Sequence, residues 1–386
     1  MALAVGSFVL VTSEFMPIGL LSSMASVFSV PEGRAGLLVT VPGLAAAAGA
    51  PLTAVALSRL DRRRIMLGLT TAILTSNALV TMTSTFEVAL AGRVLLGLGS
   101  GGFWVVGISA AARLVPARSA SHAVAVVSGG IAIGTVLGLP LGATVGHVLG
   151  WRAAFGSITA LAAGALLVQL LTLPAMPSVR RLRARDLLAV TRTRRGRAGL
   201  IAAILIHSAQ FTAYTFVTPY LEQRLGVSGA TVGTLLLLYG IAGLAGNFAA
   251  GAAARRFLTA ALLVSSAGLG LTVLALGAAA HLSVLAIVLL ALWGASWGMV
   301  PVTMQTWMMR AEPGHAEGAL SLFVAIAQLS LAVGAAAGGV LVDHLGLLSA
   351  FRTGGILSLT ATLATIAVLT VRRRGRPSRC ASMPAS

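Results

Sequence analysis

The chain has 386 residues, 57% of them hydrophobic and 9% charged, with a net charge of +18. A water-soluble domain carries roughly 25% charged residues, so that class is excluded and most of this surface must face an apolar medium. All 27 basic residues are arginines set in short gaps between apolar runs, whereas a nucleic-acid module would gather them on one folded face; nucleic acid is excluded as a partner.

A bilayer is crossed by about 20 apolar helical residues. The runs here are apolar throughout and do not alternate, which selects helices over a barrel. The pattern predicts spans at 2–25, 35–57, 65–84, 88–112, 122–146, 152–173, 199–221, 230–253, 258–279, 282–308, 318–342 and 348–371. The first run begins almost at Met1, as it would if a short cytoplasmic lead preceded it.

Span 1 carries Glu14, the one of nine acidic residues that falls mid-span. A carboxylate in hydrocarbon costs roughly 2.5–3.5 kcal/mol or more, so it should face a cavity and do a task there. It is read as a proton carrier, beside the alternative of a protonated carboxyl bonded to a neighbouring helix. Span 4 carries Arg93, with Gly97, Ser100 and Trp104 following on the same helix face. That stripe is expected to line the cavity, with Arg93 tuning Glu14 or touching substrate; snorkelling to the interface is the alternative. Span 5 spaces Gly130, Gly134, Gly138 and Gly142 at four, which lets helices approach closely. Tight contact between halves and simple packing are both open.

The central segment, about 174–198, is a basic linker that sets topology or attracts anionic headgroups. Span 7 presents His207, Gln210, Phe211, Tyr214 and Thr218 on one face, and span 10 presents Trp293, Trp297, Pro301 and Met304, with Gln305 beside them. Aromatic surface with a few hydrogen-bonding groups suits a neutral, partly apolar ligand, although packing accounts for any one of these residues equally well. Asn77, Asn247 and Gln328 are further polar groups inside spans.

Of the 27 arginines, 22 fall in the gaps on one side, the central segment and the tail. The excess marks the cytoplasmic side, so both termini are expected inside. The halves also repeat. At an offset of 197, Val30, Gly36, Leu38, Gly43, Gly49 and Arg59 match Val227, Gly233, Leu235, Gly240, Gly246 and Arg256; at 196, Gly102, Gly138, Gly142, Gly150, Ala154 and Phe155 match Gly298, Gly334, Gly338, Gly346, Ala350 and Phe351. Six spans per half is even, so the repeat is parallel and a site between the halves is expected. The implied organisation is an N-terminal bundle at 1–173, a linker at 174–198, a C-terminal bundle at 199–371 and a cytoplasmic tail at 372–386.

Three stretches then carry a resemblance. They are Ser13-Glu14-Phe15-Met16-Pro17-Ile18-Gly19-Leu20-Leu21 in span 1, Arg93-Val94-Leu95-Leu96-Gly97-Leu98-Gly99-Ser100-Gly101-Gly102 in span 4, and Gly129 to Gly142 in span 5 with Pro140, the last followed by Gly150-Trp151-Arg152-Ala153-Ala154-Phe155. The chain resembles the major facilitator superfamily, and within it the twelve-span drug:proton antiporter and sugar-efflux branch. The loop between spans 2 and 3 departs from that family's G-x-x-x-D-R-x-G-R-R. Arg59, Arg62 and Arg63 match, but Ala54 and Ser58 stand at the Gly and Asp positions and Asp61 at the second Gly. Asp61 either replaces the missing carboxylate or the loop serves topology alone.

The resemblance implies an all-α membrane protein of the bacterial cytoplasmic membrane, a monomer that exports a drug, sugar or nucleoside in exchange for protons. An importer of a small metabolite, by symport or without protons, and a non-transporting membrane sensor are the alternatives. There is no nucleotide-binding loop ending in Lys-Ser/Thr, no HExxH and no Cys/His cluster, and Cys380 stands alone. No cofactor, no metal and no enzymatic activity are expected.

Overall fold

The computed structural model describes residues 2–53, 60–114, 116, 120–177, 189–279 and 281–374. Arg59, with Ala54 and Ser58 of the same motif, lies outside the described residues, as do Arg118, Arg180, Arg181, Arg183, Arg185, Arg376, Arg379 and Cys380.

Every regular element described is helical. Spans 1 to 6 are Ala2–Gly19, Glu32–Pro51, Arg62–Met82, Phe86–Arg113, Ala120–Leu149 and Trp151–Thr172. Span 7 is Arg194–Tyr214 continued, after a 45° bend, by Val217–Arg224. Spans 8 and 9 form one helix of 49 residues, Gly229–Gly277, with non-helical backbone at Phe257 (φ −127°, ψ 40°). Straight, it would run about 73 Å, more than twice a bilayer core of about 30 Å. Its two arms instead pack on the same stretch of span 10, Gly246 against Ala295 and Gly268 against Ser296. Spans 10 to 12 are Val284–Ala311, Ala316–Leu345 and Leu347–Arg374. With the 49-residue helix counted as two spans, the described residues hold the expected twelve.

Span 1 is shorter than its apolar run. Pro17 removes an N–H and the helix closes at Gly19, where the Leu20 amide bonds the Pro17 carbonyl at 3.2 Å. A separate short helix, Leu21–Val27, follows.

The repeat is visible in the packing. A side chain at Gly49, Gly97 or Gly101 would run into the backbone of Leu98, Pro42 or Ala46 respectively. In the second half, Gly246, Gly294 and Gly298 meet Ala295, Tyr239 and Gly243, each partner exactly where the 197 offset puts it. This corrects one pairing: Gly101, and not Gly102, is the counterpart of Gly298, so the offset changes to 196 only after span 4. Gly150 and Gly346 start spans 6 and 12 at φ 85° and 81°, the left-handed region that favours glycine. Lipid gives helices no hydrophobic drive to associate, so such close backbone contacts carry the packing.

The two halves touch along two symmetric seams. Gly43 of span 2 packs on Gln328, Leu331 and Ala332 of span 11, and Gly240 of span 8 packs on Val136 of span 5. The seams run to the arginine-poor end, where Leu21, Ala25 and Ala35 share an apolar cluster with Phe216, Val342 and Ala350. There Asp343 accepts from the Gly33 amide at 2.8 Å, and Gln223 donates to Glu32 at 2.5 Å. A Cβ at Gly33 would overlap the Gly339 carbonyl and the Asp343 carboxyl. Gly33→Leu is therefore expected to hold this end open. A cysteine at Ala35, fully buried between the halves, in a Cys380→Ser background, should react with an impermeant maleimide about tenfold faster. That factor corresponds to about 1.4 kcal/mol against closure; an unchanged rate would contradict it.

The glycine stripe of span 5 does not make these seams. Gly130, Gly134, Gly138 and Gly142 pack on Ala4, Phe8, Thr12 and Met16 of span 1, inside the same half. Span 5 meets span 8 through Val136, Pro140 and Thr144. Residues 138 and 140 are about 200° apart on a helix, so the stripe and the seam occupy opposite faces. The second half repeats the arrangement, Gly334 and Gly338 packing on Ser208 and Thr212 of span 7.

Candidate functional site

Glu14 lies about 18 Å along span 1 from Ala2 and is 4% exposed. Its Oε1 accepts from Gln328 Nε2 at 2.7 Å and its Oε2 from the Ser100 hydroxyl at 3.3 Å. The Trp104 side chain lies close to it as well. Gln328 belongs to span 11, so this carboxyl joins the two halves. The sequence marks Gln328 only as a polar group inside a span; that it stands opposite Glu14 follows from the span 2–span 11 seam.

Arg93 is fully buried and does not snorkel. Its guanidinium holds main-chain carbonyls: Nε donates to Leu38 at 2.7 Å, one terminal nitrogen to Ser13 at 2.7 Å and the other to Glu14 at 3.0 Å. The reason lies four residues on. The helical donors for the Ser13 and Leu38 carbonyls would be the amides of residues 17 and 42, and both are prolines inside their helices. Arg93 supplies the missing donors and ties spans 1, 2 and 4 together beneath Glu14. It positions the Glu14 segment through the backbone; the Glu14 carboxylate is bonded by others. Gly97 does not line a cavity, because it sits against the Pro42 carbonyl of span 2.

Across the seam, Phe15 stacks on Phe211 at a centroid distance of 6.0 Å and 12° between planes. Phe211 meets Trp297 edge-on, Trp297 meets His207, and His207 meets Phe323. His207 is 7% exposed, and its Nδ1 lies 2.9 Å from the Ala203 carbonyl. A carbonyl only accepts, so Nδ1 carries the hydrogen and Nε2 is left as an acceptor. Glu14, Phe15, Trp104, His207, Phe211, Trp297 and Gln328 thus form a mixed polar and aromatic wall on both halves.

Three expected cavity residues sit behind that wall. Gln210 donates to the Tyr239 hydroxyl at 2.8 Å and accepts from the Trp293 indole at 2.8 Å. Tyr214 stacks on Tyr239 at 4.9 Å and meets Trp293 edge-on. Gln210 and Trp293 are completely buried with their polar groups paired, so this network braces spans 7, 8 and 10. Gln305 does not join the site. It is exposed, twelve residues past Trp293 and so rotated by about 120° from it.

The loop motif acts as an anchor. Asp61 caps span 3 by accepting from the Arg63 amide at 2.7 Å, and its other oxygen accepts from the Met176 amide at 2.9 Å. The Arg62 amide donates to the Met176 carbonyl at 3.0 Å, and the Arg63 side chain to the Leu170 carbonyl at 2.8 Å. Desolvation works against the Asp61 carboxylate, but the backbone amides of Met176, Arg63 and Arg64 outweigh it and hold the group below the usual carboxylate range. A depressed folded pKa places this stabilisation above the unfolded value of about 3.9 and removes it as pH falls through the folded value. At neutral pH the start of the linker is tied down. Asp61→Ala should therefore speed tryptic cleavage after Arg180 and Arg181; equal rates would contradict the anchor.

The family model described as Major Facilitator Superfamily matches residues 3–318. The chain belongs to the major facilitator superfamily. It is thus a membrane transporter by family and not an enzyme. It is 35% identical over 378 residues to a Pseudomonas aeruginosa protein named transcription regulatory protein OpdE, covering 97% of this chain and 94% of the relative. It is 32% identical over 362 residues to the purine ribonucleoside efflux pump NepI of Salmonella paratyphi B, covering 93% and 91%. Among solved structures, a D-xylose-proton symporter aligns at TM-score 0.73 and 17% identity, covering 94% of this chain and 95% of that one, which speaks for the fold alone.

Proposed function

We propose that the protein exports purine nucleosides or similar neutral molecules in exchange for protons, with Glu14 as the group for which substrate and proton compete. The arginine-rich end is cytoplasmic, in a bacterial inner membrane. Residues 1–173 and 199–371 rock as two bodies joined by the linker 174–198. With the seams packed at the arginine-poor end, the arrangement is the one that receives substrate from the cytoplasm.

The observation that carries this reading is the Glu14–Gln328 bond across the halves at 2.7 Å. A hydrogen bond to a charged group contributes about 1.5–3 kcal/mol, against about 0.5–1.5 for a neutral pair. Ionised Glu14 therefore holds the halves together, and a proton weakens the hold. A sugar hydroxyl or ring N–H of a nucleoside can take the place of Gln328 as donor, so substrate and proton need not be bound together. The partly exposed rings of Phe15 and Trp297 offer aromatic surface to a planar base, with Phe211 packed behind them. The efflux function named for the Salmonella relative supports the direction and the substrate class.

The test is transport in everted membrane vesicles from cells that overproduce the protein. An acid lumen, from which protons leave down an outward gradient, should drive accumulation of labelled inosine, and dissipating the gradient should abolish it. Accumulation only in right-side-out vesicles would mean import. The name of the Pseudomonas relative raises a second reading, a membrane sensor that binds but does not move its ligand. Inosine binding without flux in either vesicle orientation would favour that reading.

A further inference from the structure

We infer that the arginine-rich face of the second half holds a binding site for the headgroup of an anionic phospholipid, separate from the Glu14 site. A cavity of about 900 Å³ opens there between the start of span 7, the bend joining spans 8 and 9, and the end of span 10. Arg194, Arg195, Arg256 and Arg310 line it. Arg310 spends one donor on the Ala254 carbonyl at 3.0 Å. Among the described residues, Arg194, Arg195 and Arg256 have no carboxylate within ion-pair distance. A guanidinium offers five donors in a planar fork that matches phosphate oxygens in pairs.

The cavity has a second source of positive potential. Thr193, also in its lining, is the N-cap of span 7 and accepts from the Gly196 amide at 3.0 Å. Span 7 runs 21 residues from Arg194 before its bend, so its amino end aims a full helix dipole into the cavity. The Trp307 indole fixes the geometry by donating to the Arg195 carbonyl at 3.0 Å.

Phosphate chemistry alone does not separate a lipid from a free anion, and the walls decide between them. Phe257, Leu258 and Leu263 line the same cavity. Phe257 is exposed at the non-helical bend, and Val264, next in the chain to Leu263, is exposed as well. Guanidiniums at one side and exposed apolar groups at the other match an amphiphile, whose phosphate meets the arginines while its chains follow span 9. A hydrated phosphate would leave that apolar wall unused. Basic pockets between spans on the cytoplasmic side are suited to acidic headgroups.

The experiment measures thermal stability of the purified full-length protein in detergent, titrated with phosphatidylglycerol, phosphatidylcholine or inorganic phosphate. Phosphatidylglycerol should raise the melting temperature saturably, while phosphatidylcholine and inorganic phosphate should not. The triple variant Arg194→Gln, Arg195→Gln, Arg256→Gln should lose roughly a hundredfold in apparent affinity for phosphatidylglycerol. The corresponding triple Lys variant should recover part of it, and Arg180→Gln, Arg181→Gln, Arg183→Gln should bind like wild type. Should the first variant fail to fold, the three titrations of wild type still decide. An equal shift with phosphatidylcholine overturns the site, and an equal shift with inorganic phosphate makes it a free-anion site. Undiminished binding in the first variant, or equal loss in the linker variant, overturns the placement.

Discussion

Glu14→Gln is expected to abolish proton movement driven by substrate while leaving the protein folded. Glutamine keeps the size and planarity of the side chain, and its amide oxygen still accepts from Gln328, so the seam in this conformation persists. What it lacks is a site that gains and loses a proton. The bond to Gln328 becomes neutral, which forfeits the difference between charge-assisted and neutral bonding, on the order of 1–1.5 kcal/mol. Exchange that depends on proton binding should fall by at least about tenfold, with substrate affinity much less affected. Glu14→Asp should act differently. It still titrates, but it is one methylene short of Gln328, so coupling persists at a reduced rate. Binding can be followed by thermal shift, because a ligand for the native state raises its stability.

Arg93→Met should be the most destabilising single change inside the membrane. The side chain is fully buried, and methionine fills much of the same volume without a donor. The carbonyls of Ser13 and Leu38 would then be left without partners, because Pro17 and Pro42 give them no helical ones. Each unsatisfied buried group costs about 1–3 kcal/mol, so a loss of about 2–6 kcal/mol is expected in detergent unfolding. The diagnostic variant is the double one. Pro17→Ala restores an amide four residues after Ser13, and on the Arg93→Met background it should return about 1–3 kcal/mol. In wild type the same replacement should have a much smaller effect. Additivity of the two changes would show that Arg93 does not serve the proline gaps.

The architecture was written in the chain because its signals are local and cumulative. Apolar runs, arginine gaps and glycines at a constant offset each follow from what a bilayer and a duplicated bundle demand. The breaks near Leu20 and Phe216 were not legible, since a bent span and a straight one have the same composition. Glu14 stood out because a carboxylate in hydrocarbon needs a reason. Gln328 did not, because an amide in a span is inexpensive and its partner is set by how the halves meet. For Arg93 a signal was present and unused: two prolines four residues beyond the carbonyls it binds. The span 5 glycines revealed that a close contact exists but not which neighbour makes it, and span 1 is a neighbour in space that sequence distance hides. Gln210 and Trp293 share a helix face with the site residues, yet helix phase does not tell a wall from the brace behind it.

In the proposed cycle proton and substrate share Glu14, and one measurement addresses that directly. Purified protein is reconstituted into liposomes loaded with inosine and a pH-sensitive dye, with no imposed pH gradient. Inosine leaving down its own gradient should draw protons in and acidify the lumen, and Glu14→Gln should show no acidification. Inosine efflux without any change in lumenal pH, or acidification undiminished in Glu14→Gln, would contradict the account.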